Sequence, residues 1–168
     1  MKNVLELLER TAARLPRQTA FADQQCSYDY QTVVNIAESV GSALAANGDR
    51  NCPVAVLMER GAPCLVTLMG VLYSGNFYVV LDPEMPAERV NKILRTLQPT
   101  ALICDEAHKD DPAGLDYDGK VYSAEALAVG QAQPELLQTV RRRMIDTDPA
   151  YAIFTSGSTG NPKGVVVN

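Results

Sequence analysis

Residues 53–57, Pro53-Val54-Ala55-Val56-Leu57, form one continuous apolar run. Residues 62–73, from Ala62 through Thr67 and Gly70 to Tyr73, follow at helix length and are closed by Ser74-Gly75. Phe77-Tyr78-Val79-Val80-Leu81 then repeats the first kind of run, ahead of Asp82-Pro83. An unbroken apolar run of this size fits a strand covered on both faces, as in a parallel sheet, rather than the alternation of a half-exposed one. The stretch therefore predicts strand, helix, strand.

The same rhythm extends outward. Pro86 suits a helix start and predicts a helix to about Leu97; Thr100-Ala101-Leu102-Ile103-Cys104 is a further strand. Strands alternating with helices in this way predict an α/β fold, a mainly parallel sheet flanked by helices. Upstream, Val4-Leu5-Leu7-Leu8 with Ala12 and Leu15 repeats at helical spacing and Pro16 stops it. Thr19–Ala22 and Cys26-Ser27-Tyr28 read as the arms of a hairpin around Asp23-Gln24-Gln25. Tyr30 to Ala46 reads as a helix with Val33, Val34, Ala37, Val40, Ala43 and Leu44 on one face, ended by Asn47-Gly48. Downstream, Asp105 to Asp118 reads as an acidic surface loop, Lys120-Val121-Tyr122 as a short strand, Ser123-Ala124-Glu125 as the start of a weak helix and Pro134 to Met144 as a helix. Ala150–Thr155 reads as a strand, and Val165-Val166-Val167 as another. No internal repeat or linker divides the 168 residues.

Composition excludes several classes. With 46% hydrophobic residues, 21% charged residues and a net charge of −5, the chain is neither disordered nor a phosphate-tracking nucleic-acid binder. No apolar run approaches the roughly 20 residues needed to span a bilayer, and the N-terminus Met1–Glu6 lacks a signal-peptide core, so a cytoplasmic location and no membrane partner are expected. Cys26, Cys52, Cys64 and Cys104 form no CxxC pair and have no neighbouring His. They read as buried or incidental thiols, with neither a metal site nor a disulfide framework expected.

One segment carries chemistry: Thr155-Ser156-Gly157-Ser158-Thr159-Gly160-Asn161-Pro162-Lys163-Gly164. Its glycines allow backbone N–H groups to converge on an anion. Ser156, Ser158 and Thr159 add hydroxyls, and Lys163 adds a point positive charge. It is not a Walker A loop, which needs Gly-Lys-Ser/Thr, because here Pro162 precedes Lys163 and Gly164 follows it. Nor is it GxGxxG, and the strand after it removes the argument from a helix dipole. Composition alone fits a polyphosphate cradle and a Ser/Gly-rich surface turn equally well.

The order of residues separates the two. Thr-Ser-Gly-Ser-Thr-Gly-x-Pro-Lys-Gly resembles the phosphate-binding signature of the adenylate-forming superfamily. Tyr73-Ser74-Gly75-Asn76-Phe77-Tyr78-Val79-Val80-Leu81-Asp82-Pro83, with Pro86, Glu88 and Arg89, is similar to the KAGxAYVPxDPxxPxER segment of amino-acid adenylation domains, with Tyr73 in place of Lys and Val80 in place of Pro. Ser27-Tyr28-Asp29-Tyr30 is similar to the TYxEL helix start of the same domains. The Asp82-Pro83 segment points to nonribosomal peptide synthetase domains or D-alanine-carrier-protein ligases rather than fatty acyl-CoA synthetases.

The resemblance implies an ATP-dependent ligase that forms an aminoacyl-AMP and passes it to a carrier thiol, usually a phosphopantetheine arm. It implies that Thr155, Ser156, Gly157, Ser158, Thr159, Gly160, Lys163 and Gly164 hold the β- and γ-phosphates, with Mg²⁺ in the complete enzyme. The family's remaining motifs follow this loop. The expectation is therefore an incomplete N-terminal subdomain over residues 1–168, inactive alone, with no catalytic residue of its own. The alternative is a non-catalytic nucleotide-binding or assembly module that needs a separate remainder.

Other residues have plainer readings. His108, among Asp105, Glu106, Asp110 and Asp111, reads as a solvated loop residue. Arg141-Arg142-Arg143 read as cations complementing a helix dipole. Asp146 and Asp148 read as a helix stop, and Tyr73 and Tyr78 as packing against the sheet. If the sheet of the parent protein continues past Asn168, Val165-Val166-Val167 is left as an exposed edge.

Overall fold

A computed structural model of the chain describes residues 3–156 and 162–168. In chain order the elements are α1 (Val4–Arg14), β1 (Thr19–Ala22), β2 (Ser27–Asp29), α2 (Tyr30–Ala45), β3 (Pro53–Leu57), α3 (Ala62–Tyr73), β4 (Phe77–Leu81), α4 (Ala87–Leu97), β5 (Ala101–Cys104), β6 (Lys120–Ser123), α5 (Ala124–Ala128), α6 (Pro134–Arg143), β7 (Tyr151–Ser156) and β8 (Pro162–Val167). The α/β reading holds, and the β–α–β core falls where the sequence places it. Two differences are local. Residues 105–118 contain two 3₁₀ turns, Glu106–His108 and Asp111–Gly114, and β8 begins at Pro162 rather than Val165.

The main sheet has the order β6-β5-β3-β4-β7-β8. The pairs β5–β6, β3–β5, β3–β4 and β4–β7 are parallel, and β7–β8 is antiparallel. The hairpin β1–β2 forms a separate small sheet. Because β3 is hydrogen-bonded on both sides, both its faces need cover. Val54 and Val56 pack beneath α2, α3 and α5, with Ile103 of β5 beside them. Ala55 and Leu57 face the other way, with Val79, Leu81 and Leu102, beneath Val90, Ile93 and Leu94 of α4.

Local signals explain the boundaries. Asn3 and Asp29 cap α1 and α2 by accepting from the Leu5 and Thr32 amides. Gly48 and Gly75 take the left-handed turns after α2 and α3 at φ +82° and +80°. Two further glycines let α2 and α3 touch. A Cβ on Gly41 would lie 2.5 Å from the Tyr73 Cβ, and one on Gly70 would lie 2.5 Å from the Val40 Cβ.

Long-range polar contacts then fasten α1 to this layer. Arg141 of α6 donates to Asn3 Oδ1 at 2.8 Å and to Glu9 Oε1 at 2.5 Å, and it lies 5.3 Å from the Tyr73 ring centre. The Tyr73 hydroxyl also donates to Glu9 Oε1, at 2.9 Å. Arg141 thus does more than complement a dipole. Tyr73 is buried, as expected. Cys64 and Cys104 are buried, while Cys26 and Cys52 are half-buried. Among the described residues no helix is long and apolar enough to cross a membrane.

Two outcomes follow from this packing. Gly70→Ala forces the α2–α3 backbones apart and is expected to destabilise the chain by about 1–3 kcal/mol in urea unfolding. The β8 edge leaves Val165 and Val166 56% and 59% exposed, beside Ile153 of β7 at 53%. Such an edge recruits further strands, so the chain is expected to self-associate in light scattering and Val165→Lys to reduce this. A monodisperse monomer with a sharp thermal transition would count against it.

Candidate functional site

Strand β7 carries the candidate site, and its base is tightly held. Tyr78 N donates to Ala150 O at 3.2 Å, and Ala150 N donates to Val167 O at 2.8 Å. The Tyr78 and Tyr151 rings stack with centres 5.7 Å apart and planes 15° apart. Just upstream, Asp148 clamps the approach to the strand. It accepts from Arg50 Nη2 at 2.8 Å, Asn51 Nδ2 at 3.0 Å and the Ile145 amide at 3.0 Å. Burial pushes the Asp148 carboxyl up, but these donors outweigh it and hold the group below its ordinary value. Asp148 therefore does not merely stop a helix.

At the other end β7 runs into β8 as an antiparallel pair. Thr155 lies opposite Lys163, Ser156 opposite Pro162 and Phe154 opposite Gly164. Directly opposed residues share a face of the sheet. Thr155 and Lys163 are therefore neighbours, and both are exposed. Phe154 and Gly164 occupy the other face, where Phe154 packs on the cluster under α4. A Cβ on Gly164 would lie 3.0 Å from the Phe154 ring, so the glycine gives the ring a close seat. Gly157, Ser158, Thr159 and Gly160 lie outside the described residues.

A hydroxyl and an ammonium carried on one face suit an anion, because one donates a hydrogen bond and the other supplies charge. The pair stands where β7 ends. The ends of β3, β4 and β5 share this pole, because parallel strands point the same way. Here Asp82 caps the turn after β4, accepting from the Glu84 amide at 3.0 Å and pairing with Arg60. Nothing in the sequence marks Arg60, because its partner lies on another strand end. Among the described residues no group of His, Cys, Asp and Glu is arranged to hold a metal ion. A hollow of about 350 Å³ lined by Leu5, Leu72, Met144 and Ala150 lies at the opposite pole, away from Thr155 and Lys163.

Residues 8–168 match the family model described as AMP-binding enzyme. The chain belongs to the AMP-binding enzyme family. Pyochelin synthetase PchF of Pseudomonas aeruginosa is 35% identical over 154 residues, which is 91% of this chain and 8% of that protein. Among solved structures, the nonribosomal peptide synthetase FmoA3 with alpha-methyl-L-serine-AMP bound superposes at a TM-score of 0.78 and 25% identity, over 96% of this chain and 18% of that one. An AMPPNP-bound form of FmoA3 superposes at 0.77, again at 25% identity, over 96% and 17% of the two chains. The NpsA N-terminal subdomain of Klebsiella oxytoca shares the fold at a TM-score of 0.75 and 21% identity, over 99% of this chain and 42% of that one. The chain thus has the α/β fold of an adenylate-forming N-terminal subdomain and spans a small share of the synthetases it matches.

The Asp148 clamp gives a pH prediction. A depressed carboxylate contributes its full stability above the unfolded value, ordinarily 3.8, and loses it as pH falls through the lower folded value. Asp148→Ala is expected to cost about 2 kcal/mol near neutral pH, the scale of lost hydrogen bonds to a charged group. The gap from the native chain should shrink below the ordinary carboxylate range, as read by denaturant unfolding across pH.

Proposed function

We propose that residues 155–164 hold the β- and γ-phosphates of ATP in an adenylation reaction whose acyl substrate is an amino acid. One observation above all supports the reading: the β7–β8 register pairs Thr155 with Lys163, both exposed, on one face at the carboxyl pole of the sheet. Fixed donors aimed at departing pyrophosphate stabilise the charge that develops as it leaves. In this reading Thr155, Ser156 and Thr159 donate hydroxyls, Gly157 and Gly160 let the backbone close on oxygens, Ser158 lines the loop, Lys163 neutralises charge and Gly164 keeps the register.

The similar proteins support the substrate class. The FmoA3 structures contain AMPPNP and an aminoacyl-AMP, and FmoA3 is itself a nonribosomal peptide synthetase. Passage of the acyl group to a phosphopantetheine thiol completes the proposal. The hydroxyls and ammonium fit ATP. Mg²⁺ bound with ATP would neutralise phosphate charge, and among the described residues no group of His, Cys, Asp and Glu is arranged to hold it.

The test uses the 168 residues with ATP. Amide shifts on titration with ATP are expected at Thr155, Lys163 and Gly164, and Lys163→Ala should weaken binding about tenfold, or about 1.4 kcal/mol. Pyrophosphate exchange with the twenty amino acids and D-alanine is expected to be absent. Clear exchange would show that these residues suffice for the chemistry; ATP shifts confined to other residues would sink the site.

A further inference from the structure

Strands β3 and β5 are neighbours, yet their connections leave in opposite directions. Helix α3 leads from β3 to β4 on one side, and residues 105–119 lead from β5 to β6 on the other. Such a reversal opens a crevice beyond the strand ends. Here it measures about 580 Å³ and is lined by Met58, Glu59, Arg60, Asp105, Ala107 and Glu125 among others.

One carboxylate ties its two walls. Asp105 Oδ2 accepts from the Glu59 amide at 2.7 Å, while Oδ1 accepts from the His108 amide at 3.1 Å. The same Oδ1 lies 2.5 Å from His108 Nδ1, and His108 Nε2 lies 3.7 Å from Glu59 Oε1. The side chains of His108 and Asp105 are each only 14% exposed, so His108 is not the solvated loop residue expected from the sequence. The imidazole touches both chain segments that leave the reversal point.

We propose that His108 is a proton-operated clasp at the margin of this crevice, joining Asp105 and Glu59 of its two walls. The imidazolium donates from Nδ1 to Asp105 and presents Nε2–H to Glu59. The neutral ring keeps its Nδ1–H on Asp105, which leaves the Nε2 lone pair facing a carboxylate. Loss of one proton therefore turns the Glu59 contact from attraction to repulsion while the Asp105 bond survives.

The surroundings allow this proton to act alone. Asp105, Asp111 and Glu59 face the ring and favour its charged form, the hydrogen bond to Asp105 most of all. Glu106 and Lys109 on the same turn pair with each other, and Glu125 accepts from the Glu106 amide. Arg60 is engaged by Asp82. Burial pushes the nearby thiols of Cys64 and Cys104 up to about 11 and about 12, so both stay neutral. The folded ring's pKa is raised above the ordinary 6.5, so the clasp is closed below 6.5 and opens as pH rises through the folded value.

NMR of the 168-residue chain tests this. The His108 ring is expected to titrate above its ordinary value, and Glu59→Gln to titrate lower than the native chain. Across the native titration, the protection factors of the Glu59 and His108 amides should fall about two- to fivefold, the range an exposed ion pair supplies. In Glu59→Gln, a surface change that leaves the Asp105 bonds intact, that fall should vanish. Titration at or below the ordinary value, a Glu59→Gln midpoint equal to the native one, or protection factors independent of pH would each overturn the clasp.

Discussion

The rest of the structure depends on β3 lying in the middle of the sheet with neither face free. Val54, Ala55, Val56 and Leu57 are all at most 3% exposed. A strand buried on both faces needs helices above and below it, and right-handed crossovers place successive helices on opposite faces only when the chain steps first one way and then the other. The order β6-β5-β3-β4-β7 is that solution. It gathers the carboxyl ends of five parallel strands at one pole, where Thr155, Asp82, Arg60 and the His108 cluster all stand.

The layer over β3 is held by contact that no side-chain inventory reveals. Gly41 and Gly70 matter through absent atoms, since a Cβ at either would overlap the facing helix. The polar fastening of α1 is different in kind. Glu9 accepts from both Arg141 and Tyr73, so one carboxylate joins α1, α3 and α6. Pairing matters here, because burial and the neighbouring Glu9 push the nearby Glu38 carboxyl up, and leaving Glu9 without Arg141 would add unpaired charge beside a buried ring.

What is legible in the sequence is what depends on near neighbours. The apolar runs of β3 and β4, the helix between them and the glycine turns are local facts, and the structure follows them. His108 reads wrongly from sequence because its burial depends on Asp105 and Glu59, the latter on another strand end. Arg141 is only half-legible for the same reason: Glu9 lies 132 residues away in the chain. The start of β8 at Pro162 is hidden because proline and glycine usually mark turns, whereas here β7 supplies the pairing that overrides them. The candidate loop is legible only as an ordered motif, since its composition suits a surface turn equally well.

The loop's setting has a physical logic of its own. Binding an anion with several donors is weak when the donors must first be ordered. Here β7 is fixed at its base by the Tyr78–Tyr151 stack and the Asp148 clamp, so its far end starts from a defined position. The antiparallel register then sets which side chains share a face. A slip of one residue would carry Lys163 to the opposite face and away from Thr155. Gly164 suits that register: a Cβ there would lie 3.0 Å from the Phe154 ring, so any larger residue would make the ring shift by a few tenths of an ångström. The glycine that reads in the sequence as part of an anion cradle thus has a packing reason of its own, the room it leaves for the Phe154 ring on the face opposite Thr155 and Lys163.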